Sequence, residues 1–201
     1  QYYPKPGWVE HDAEEIWQNT LKVLQSLIRK HSDKPPACLS ITNQRETIVI
    51  FERGTGKPLH HALVWQDRRS DAICREMSAR GLDAQVNSKT GLKIDTYFSA
   101  SKLTWLIRKF PELSRELISG DALIGTMDAY LIHRLTDGKV HATDHTNASR
   151  TLLFDIRRLC WDESLCRAFE VPMGALPEAR DSTASFRETD LDGALHDPIP
   201  I

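Results

Sequence analysis

Thr47-Ile48-Val49-Ile50-Phe51 is a dense run of β-branched and apolar residues, and it is followed closely by the turn residues Gly54-Thr55-Gly56. Cys38-Leu39-Ser40-Ile41 before it and His61-Ala62-Leu63-Val64-Trp65 after it have the same character. Apolar, β-branched runs of about 4–8 residues bounded by turn signals are typical of strands. The three runs therefore predict three consecutive strands.

Segments with helical periodicity lie on both sides of these strands. In residues 12–30 apolar residues recur close to every 3.6 positions, with Asp12 as the expected N-cap and Glu15 completing a capping box. Lys34-Pro35-Pro36 is predicted to interrupt regular secondary structure before the first strand. After the third strand the pattern predicts a helix over 67–80 closed by Gly81, a helix over 99–110 stopped by Pro111, a turn over 111–120, a buried strand ending at Gly125 and a helix over 127–136. Strands alternating with helices predict an α/β architecture.

Composition excludes several classes of protein. The 201 residues are 40% hydrophobic and 27% charged, which is typical of a globular domain and not of a disordered or disulfide-rich chain. A net charge of −2 argues against a nucleic-acid or acidic-membrane binder. No apolar run reaches the roughly 20 residues of a membrane span. The four cysteines form no C-x-x-C pair, so we expect a reduced, cytoplasmic protein.

Common catalytic motifs are missing from the sequence. It contains no G-x-x-x-x-G-K-[ST], G-x-G-x-x-G, H-E-x-x-H or G-x-S-x-G pattern. His60 and His61 are adjacent in a predicted strand, where successive side chains face opposite ways, so they do not make a metal pair. Nucleotide binding is therefore not visible in the sequence, and we assign no metal-binding residue.

Polar residues cluster at the predicted ends of strands, where ligands usually bind in α/β sheets. Arg45 and Glu46 lie in the stretch between the first two strands and offer donors beside acceptors, which suits the hydroxyls of a polyol. The alternative is a hairpin with a surface ion pair. Trp65 could form an apolar wall for a ligand, or be a core residue followed by a charged first helical turn. Tyr97, with Lys102 one turn later, could present a hydroxyl to a ligand or simply pack.

Residues 143–150 form another polar run, in which Asp144 and His145 could serve acid–base chemistry. Hydrogen bonds from side chains to the backbone of a structured loop explain the run equally well. The sequence leaves both interpretations open.

Six stretches, taken together and in order, carry a family resemblance. They are Pro4-Lys5-Pro6-Gly7-Trp8-Val9-Glu10-His11-Asp12, Ile41-Thr42-Asn43-Gln44-Arg45-Glu46-Thr47, Val64-Trp65-Gln66-Asp67-Arg68-Arg69, Tyr97-Phe98-Ser99-Ala100-Ser101-Lys102, Gly125-Thr126-Met127-Asp128, and Thr143-Asp144 with Thr146-Asn147-Ala148-Ser149-Arg150-Thr151. The chain resembles the FGGY family of carbohydrate kinases. The Thr-Asn-Gln-Arg-Glu-Thr and Thr-Asn-Ala-Ser-Arg-Thr stretches favour the members that phosphorylate glycerol over the pentulose kinases.

The resemblance implies a fold, a reaction and a set of site residues. The implied fold is a ribonuclease H-like domain of the actin-like ATPase superfamily, incomplete at both ends. The implied reaction is ATP- and Mg²⁺-dependent phosphorylation of glycerol to glycerol 3-phosphate. Arg45, Glu46 and Tyr97 match positions that hydrogen-bond the glycerol hydroxyls, and Trp65 matches one that packs on the carbon chain. Family members commonly carry proline where this chain has Thr96.

The resemblance also implies how the domains are divided. Residues 1–201 are expected to be part of the N-terminal, substrate-binding domain, with the catalytic aspartate, the first phosphate-binding motif and the ATP-binding domain outside this chain. The isolated chain is therefore expected to be inactive. A homodimer or homotetramer is implied, with no nucleic-acid partner. The alternatives are a kinase for another polyol or ketose of the same family, and a polyol-binding fragment without catalysis.

Overall fold

The computed structural model describes residues 1–31, 34 and 36–201, so the predicted break at Lys34-Pro35-Pro36 lies partly outside the described residues. In the described part, the helices are α1 (Ala13–Lys30), α2 (Asp71–Ala79), α3 (Asp83–Thr90), α4 (Ser99–Lys109), α5 (Pro111–Ser119), α6 (Met127–Leu135), α7 (His145–Ala148) and α8 (Glu163–Ala168). The strands are β1 (Glu10–His11), β2 (Ile48–Glu52), β3 (Ala62–Leu63), β4 (Ala122–Thr126), β5 (Ala142–Asp144), β6 (Phe154–Asp155), β7 (Cys160–Trp161), β8 (Glu178–Arg180), β9 (Glu188–Thr189) and β10 (Ile199–Pro200). The prediction of a mixed α/β protein is confirmed. None of the helices among these residues combines the length and the apolar character that crossing a bilayer requires.

The main sheet has the strand order β1-β3-β2-β4, and each neighbouring pair is antiparallel. Ile48, at the start of β2, is opposite both Leu63 in β3 and Thr126 in β4. The start of β2 therefore lies at the same end of the sheet as the ends of β3 and β4. We call this the site end of the sheet.

Both faces of the sheet are covered by helices. In β2, Ile48 and Ile50 pack into a cluster with residues of α2, α3, α4 and α5, whereas Val49 and Phe51 pack into a second cluster with residues of α1 and α6. This division follows from the alternation of side chains along a strand. Because both faces are buried, the run is apolar throughout and not alternating.

Helix α1 begins where the sequence predicted, but one of its two predicted capping interactions is replaced by another contact. The Asp12 carboxylate accepts hydrogen bonds from the backbone N–H groups of Glu14 (2.9 Å) and Glu15 (3.2 Å), as expected of an N-cap. The Glu15 side chain does not close the capping box. It accepts a 3.0 Å hydrogen bond from the hydroxyl of Tyr2, because the N-terminal segment passes beside this turn of α1.

Three other local predictions were wrong. Cys38–Ile41 is not a strand: it has no regular secondary structure, and its one backbone hydrogen bond within the described ranges runs from Leu39 N–H to Pro200 C=O. The helix predicted over 67–80 begins only at Asp71, because the Asp67 carboxylate is used in tertiary contacts. The predicted turn over 111–120 is helix α5, since Pro111 stands at its first position, where no backbone N–H is needed.

Two buried histidines predict how stability depends on pH. His133 and His141 pack edge-on against Phe51, with ring centroids at 5.0 and 5.9 Å. Burial lowers the pKa of His141 to about 4 and also lowers the pKa of His133, whereas an unfolded histidine titrates near 6.5. The unfolded chain therefore binds more protons below pH 6.5. Stability is complete above that pH and is lost as pH falls from 6.5 towards 4, at about 1.4 kcal/mol per pH unit for each extra proton.

Urea unfolding of the chain between pH 7.5 and 5 measures this effect. His141→Gln removes one of the two titrating rings and is expected to flatten the pH dependence. A free energy of unfolding that is level between pH 6.5 and 5, or an equally steep fall in the variant, would contradict the prediction.

Candidate active site

The sheet topology brings Glu46 and Trp65 to the site end. Glu46 lies two residues before β2 and Trp65 lies two residues after β3, and these strands are antiparallel. The backbone of Glu46 is also tied to α4, since the Ser99 hydroxyl donates a 3.1 Å hydrogen bond to the Glu46 carbonyl. Tyr97, two residues before α4, is thereby held at the same end.

Glu46 is a buried carboxylate with a specific partner. It is 6% exposed, and one of its oxygens accepts a 2.8 Å hydrogen bond from Nε of Arg150. Arg150 lies just after α7, and the backbone N–H of Ala100 in α4 bonds the carbonyl of the neighbouring Thr151 at 2.9 Å. The ion pair and this bond hold the end of the 143–150 run against α4.

Trp65 and Tyr97 form an aromatic wall next to this ion pair. Their ring centroids are 5.2 Å apart, and the rings are tilted by 52°. The Arg150 guanidinium lies 5.8 Å from the Tyr97 ring and 4.9 Å from the Phe98 ring. Trp65 is half-buried and Tyr97 is exposed. Three of the four predicted residues, Glu46, Trp65 and Tyr97, are therefore brought together through Arg150 and the ring contact.

Arg45 precedes Glu46 in the chain and lines a cavity of about 320 Å³. The same cavity is lined by Asn43, Asp144 and Asn147, and the Asn43 amide donates a 3.0 Å hydrogen bond to the Asn147 side chain. The Arg45 side chain is exposed and, within residues 1–31, 34 and 36–201, has no hydrogen-bond or ion-pair partner. Its five donors are available to a ligand.

Asp144 and His145 do not form an acid–base pair. The Asp144 carboxylate is the N-cap of α7, accepting 2.8 Å bonds from the backbone and side-chain amides of Asn147, and it also accepts from the hydroxyls of Thr146 and Ser182. Burial acts to raise its pKa, but these hydrogen bonds prevail and lower it. His145 faces Asp181 at 3.3 Å. The geometry favours the structured-loop interpretation of the run.

Two of the charged residues after Trp65, Asp67 and Arg69, make structural contacts. The Asp67 carboxylate is fully buried, accepts a 2.6 Å bond from Val9 N–H and pairs with Arg69 at 2.8 Å. Arg69 also pairs with Glu10 at 2.7 Å and lies 3.8 Å from the Trp8 ring. Asp67 is therefore neither a ligand residue nor part of the first turn of α2. It joins the N-terminal segment to the chain that carries Trp65.

Sequence reasoning missed the roles of two residues. Arg150 was part of a polar run with no assigned task, and its charge opposite to that of Glu46 was the only available signal. Lys102 was named only as lying one turn after Tyr97. Its side chain is fully buried and bonds backbone carbonyls instead.

This arrangement can bind a small polyhydroxylated molecule. A carboxylate accepts hydroxyl protons, a guanidinium donates to hydroxyl oxygens, and a phenol can do either. The indole of Trp65 offers an apolar face for carbon atoms. A cluster of these groups at one end of a sheet is suited to a polyol.

Comparison with known proteins identifies the family. A family model described as the FGGY family of carbohydrate kinases, N-terminal domain, matches residues 1–197. The chain belongs to the FGGY family. Its match to the N-terminal-domain model covers nearly all of the chain, so the resemblance to the FGGY family is confirmed.

Individual FGGY-family relatives point the same way. The chain is 50% identical over 203 residues to glycerol kinase of Halorhodospira halophila and 48% identical over 203 residues to glycerol kinase 1 of Thermotoga maritima. These alignments cover 100% of the chain but only 40% and 41% of the relatives. The crystal structure of Plasmodium falciparum glycerol kinase with ADP has a TM-score of 0.93 at 41% identity, over 100% of this chain and 41% of that one. Gluconate kinase from Lactobacillus acidophilus, at 23% identity and a TM-score of 0.86, shares the fold over 100% of this chain and 40% of its own.

Proposed function

We propose that this chain is the glycerol-binding part of a longer kinase that phosphorylates glycerol to glycerol 3-phosphate. We call this longer enzyme the parent enzyme. The observation that carries the proposal is the meeting of Glu46, Trp65 and Tyr97 at the site end of the sheet. These are positions that the FGGY resemblance assigns to glycerol, and they come from three separate segments. The similarity to glycerol kinases over the whole chain supports the same substrate.

Each residue is given one role. Glu46 accepts a hydrogen bond from one hydroxyl, and the hydrogen bond from Arg150 holds the orientation of its carboxylate. Arg45 donates to hydroxyl oxygens from the adjoining cavity, and the Tyr97 hydroxyl binds a further one. Trp65 packs on the carbon chain. These contacts hold glycerol in one orientation, which is the main contribution of a protein to phosphoryl transfer.

ATP and Mg²⁺ are assigned to the rest of the parent enzyme. Among the described residues no group of three or more histidine, cysteine or carboxylate side chains could hold a metal ion, and the sequence has no glycine-rich phosphate loop. We therefore place the donor set for the nucleotide in the rest of the parent enzyme. When bound, Mg²⁺-ATP supplies the phosphoryl group. In this proposal, the chain belongs to a ribonuclease H-like N-terminal domain that carries the substrate site, and the rest of the parent enzyme carries the nucleotide site.

The cellular setting and assembly belong to the same proposal. All four cysteines are free thiols, which agrees with a reducing, cytoplasmic compartment. A homodimer or homotetramer is proposed from the family resemblance.

A substrate panel on the parent enzyme tests the function. We expect glycerol-dependent release of ADP, with a higher kcat/KM for glycerol than for erythritol or xylulose, because the site has three hydroxyl-binding groups and one apolar wall. Faster phosphorylation of erythritol or xylulose would assign the site to another polyol or ketose.

The isolated 201-residue chain is the matched control. It is expected to release no ADP above a mock preparation, since the nucleotide site is assigned elsewhere. Glycerol-dependent release of ADP by the chain alone would contradict the division of the site. No turnover of any of the three substrates by the parent enzyme would leave a polyol-binding protein and withdraw the kinase proposal.

A further inference from the structure

Lys102 is a fully buried lysine in the second turn of α4. Its ammonium group donates hydrogen bonds to three successive backbone carbonyls, those of Thr96, Tyr97 (3.2 Å) and Phe98 (3.0 Å). An ammonium group has three N–H donors, so each one has an acceptor here. The three acceptors belong to the turn that carries Tyr97.

This position is unfavourable for a lysine unless its hydrogen bonds to the carbonyls offset the cost of burying the charge there. A cation near a helix N-terminus is disfavoured by the helix dipole, and burial penalises the charged form. In the part of the chain that the structure describes, Lys102 forms no ion pair. Its neighbour Leu103 and the nearby Leu106 are core residues, so an apolar side chain would suit the packing. The hydrogen bonds to the turn are the contribution that an apolar residue could not make.

The turn itself has few other restraints on the orientation of its carbonyls. On the amide side, Tyr97 N–H donates to the Asp95 carboxylate at 2.9 Å and Phe98 N–H donates to the Asp95 carbonyl at 3.2 Å. Position 96 is threonine, so the backbone before Tyr97 is not locked by a proline ring. Lys102 restrains this backbone instead, because it donates hydrogen bonds to the carbonyls on both sides of the Tyr97 α-carbon.

We propose that Lys102 is a positioning residue that sets the place of the Tyr97 ring in the glycerol site. It holds the peptide groups on either side of Tyr97 and thereby keeps the ring against Trp65. This inference rests on the proposed function, because it assumes that Tyr97 binds a glycerol hydroxyl. Lys102 itself does not touch the substrate.

Lys102→Met in the parent enzyme tests the proposal. Methionine fills similar space without donors, so we expect KM for glycerol to rise about tenfold while KM for ATP and kcat stay within twofold, since only the placement of one substrate-binding group changes. Thr104→Val is the matched control. It lies on the same helix and loses buried hydrogen bonds to the carbonyls of Ala100 (3.0 Å) and Phe169 (2.7 Å), away from the site. It should lower the melting temperature and leave KM for glycerol unchanged.

Combining Lys102→Met with Tyr97→Phe separates this inference from the proposed function. If Lys102 acts through Tyr97, the double variant has the same KM for glycerol as Tyr97→Phe alone. Additive effects would overturn the positioning role. If Tyr97→Phe leaves KM for glycerol unchanged, the assignment of Tyr97 to the substrate fails first. If Tyr97→Phe raises KM and Lys102→Met does not, only the present inference fails.

A pH profile of the unsubstituted parent enzyme covers the case in which Lys102→Met does not fold. Burial lowers the pKa of Lys102 to about 8, against the opposing charge effects of Asp67, Cys74, Glu46 and Asp95. Burial raises the pKa of the Cys74 thiol, so Lys102 is the group of this cluster that changes charge near pH 8. Loss of one proton from the ammonium removes one of its three donors. KM for glycerol should rise above pH 8 with no matching rise for ATP, and an unchanged KM for glycerol up to pH 9.5 would overturn the proposal.

Discussion

Replacing Glu46 by glutamine is expected to lower kcat/KM for glycerol about 100-fold in the parent enzyme, equivalent to roughly 2.7 kcal/mol. The substitution keeps the size of the side chain but removes the negative charge. That charge serves a substrate hydroxyl in the proposed function and also pairs with Arg150 at 2.8 Å, where both partners are largely buried. Truncating one partner of a buried, hydrogen-bonded charge pair costs about 2–5 kcal/mol. Steady-state kinetics with varied glycerol and saturating ATP measure the loss.

The control for this variant is Glu163→Gln. Glu163 makes an ion pair of the same kind with Arg167 at 2.6 Å, but both side chains are more than 70% exposed and the pair lies on one helix. Exposed pairs contribute at most about 1 kcal/mol, so this variant should keep its kcat/KM for glycerol. A folded Glu46→Gln enzyme within threefold of the unsubstituted enzyme would remove Glu46 from the glycerol site.

Replacing Arg69 by methionine is expected to destabilise the 201-residue chain by about 3–5 kcal/mol. Arg69 is 1% exposed in its side chain, pairs with Asp67 and Glu10, and lies against the rings of Trp8 (3.8 Å) and Trp105 (4.9 Å). Methionine replaces part of the apolar volume but leaves the fully buried Asp67 carboxylate without its cation. Such an uncompensated buried charge is the most costly outcome of breaking an ion pair. Urea unfolding measures the loss.

Arg75→Met provides the comparison for Arg69. Arg75 pairs with Asp71 one helical turn away at 2.5 Å, and its side chain is 74% exposed. Its loss is expected to cost less than about 1 kcal/mol. Similar losses of unfolding free energy in the two variants would show that the buried ion pairs of Arg69 stabilise the fold no more than an exposed pair does.

Local patterns predicted the elements whose signals are contained in a few neighbouring residues. The 3.6-residue repeat and Asp12 located α1, and the run around Ile50 located β2, because periodicity and capping act over one or two turns of chain. Cys38–Ile41 failed for the opposite reason. Strand propensity describes a residue that fits a sheet, but a strand also needs a neighbour to bond, and that neighbour is chosen by the tertiary fold.

The same distinction applies to the site. Arg45, Glu46, Trp65 and Tyr97 were named from the sequence, because polar and aromatic residues at strand ends and the FGGY-like stretches both pointed to them. The sequence could not show that Trp65 and Asp67, which are two positions apart, have different roles. One faces the candidate site, and the other anchors the N-terminal segment through Val9.

The sequence by itself thus determined the family, the mixed α/β class and the candidate substrate residues, since these depend on residue types and short-range order. Only the tertiary structure decided that Arg150 meets Glu46 across 104 positions of the chain and that the buried ammonium group of Lys102 bonds the backbone carbonyls of the turn that carries Tyr97. The physical reason is that a buried charge must be paired, and it pairs with the residue that the tertiary packing places next to it. That partner is selected by the pairing of strands and helices that are distant in sequence.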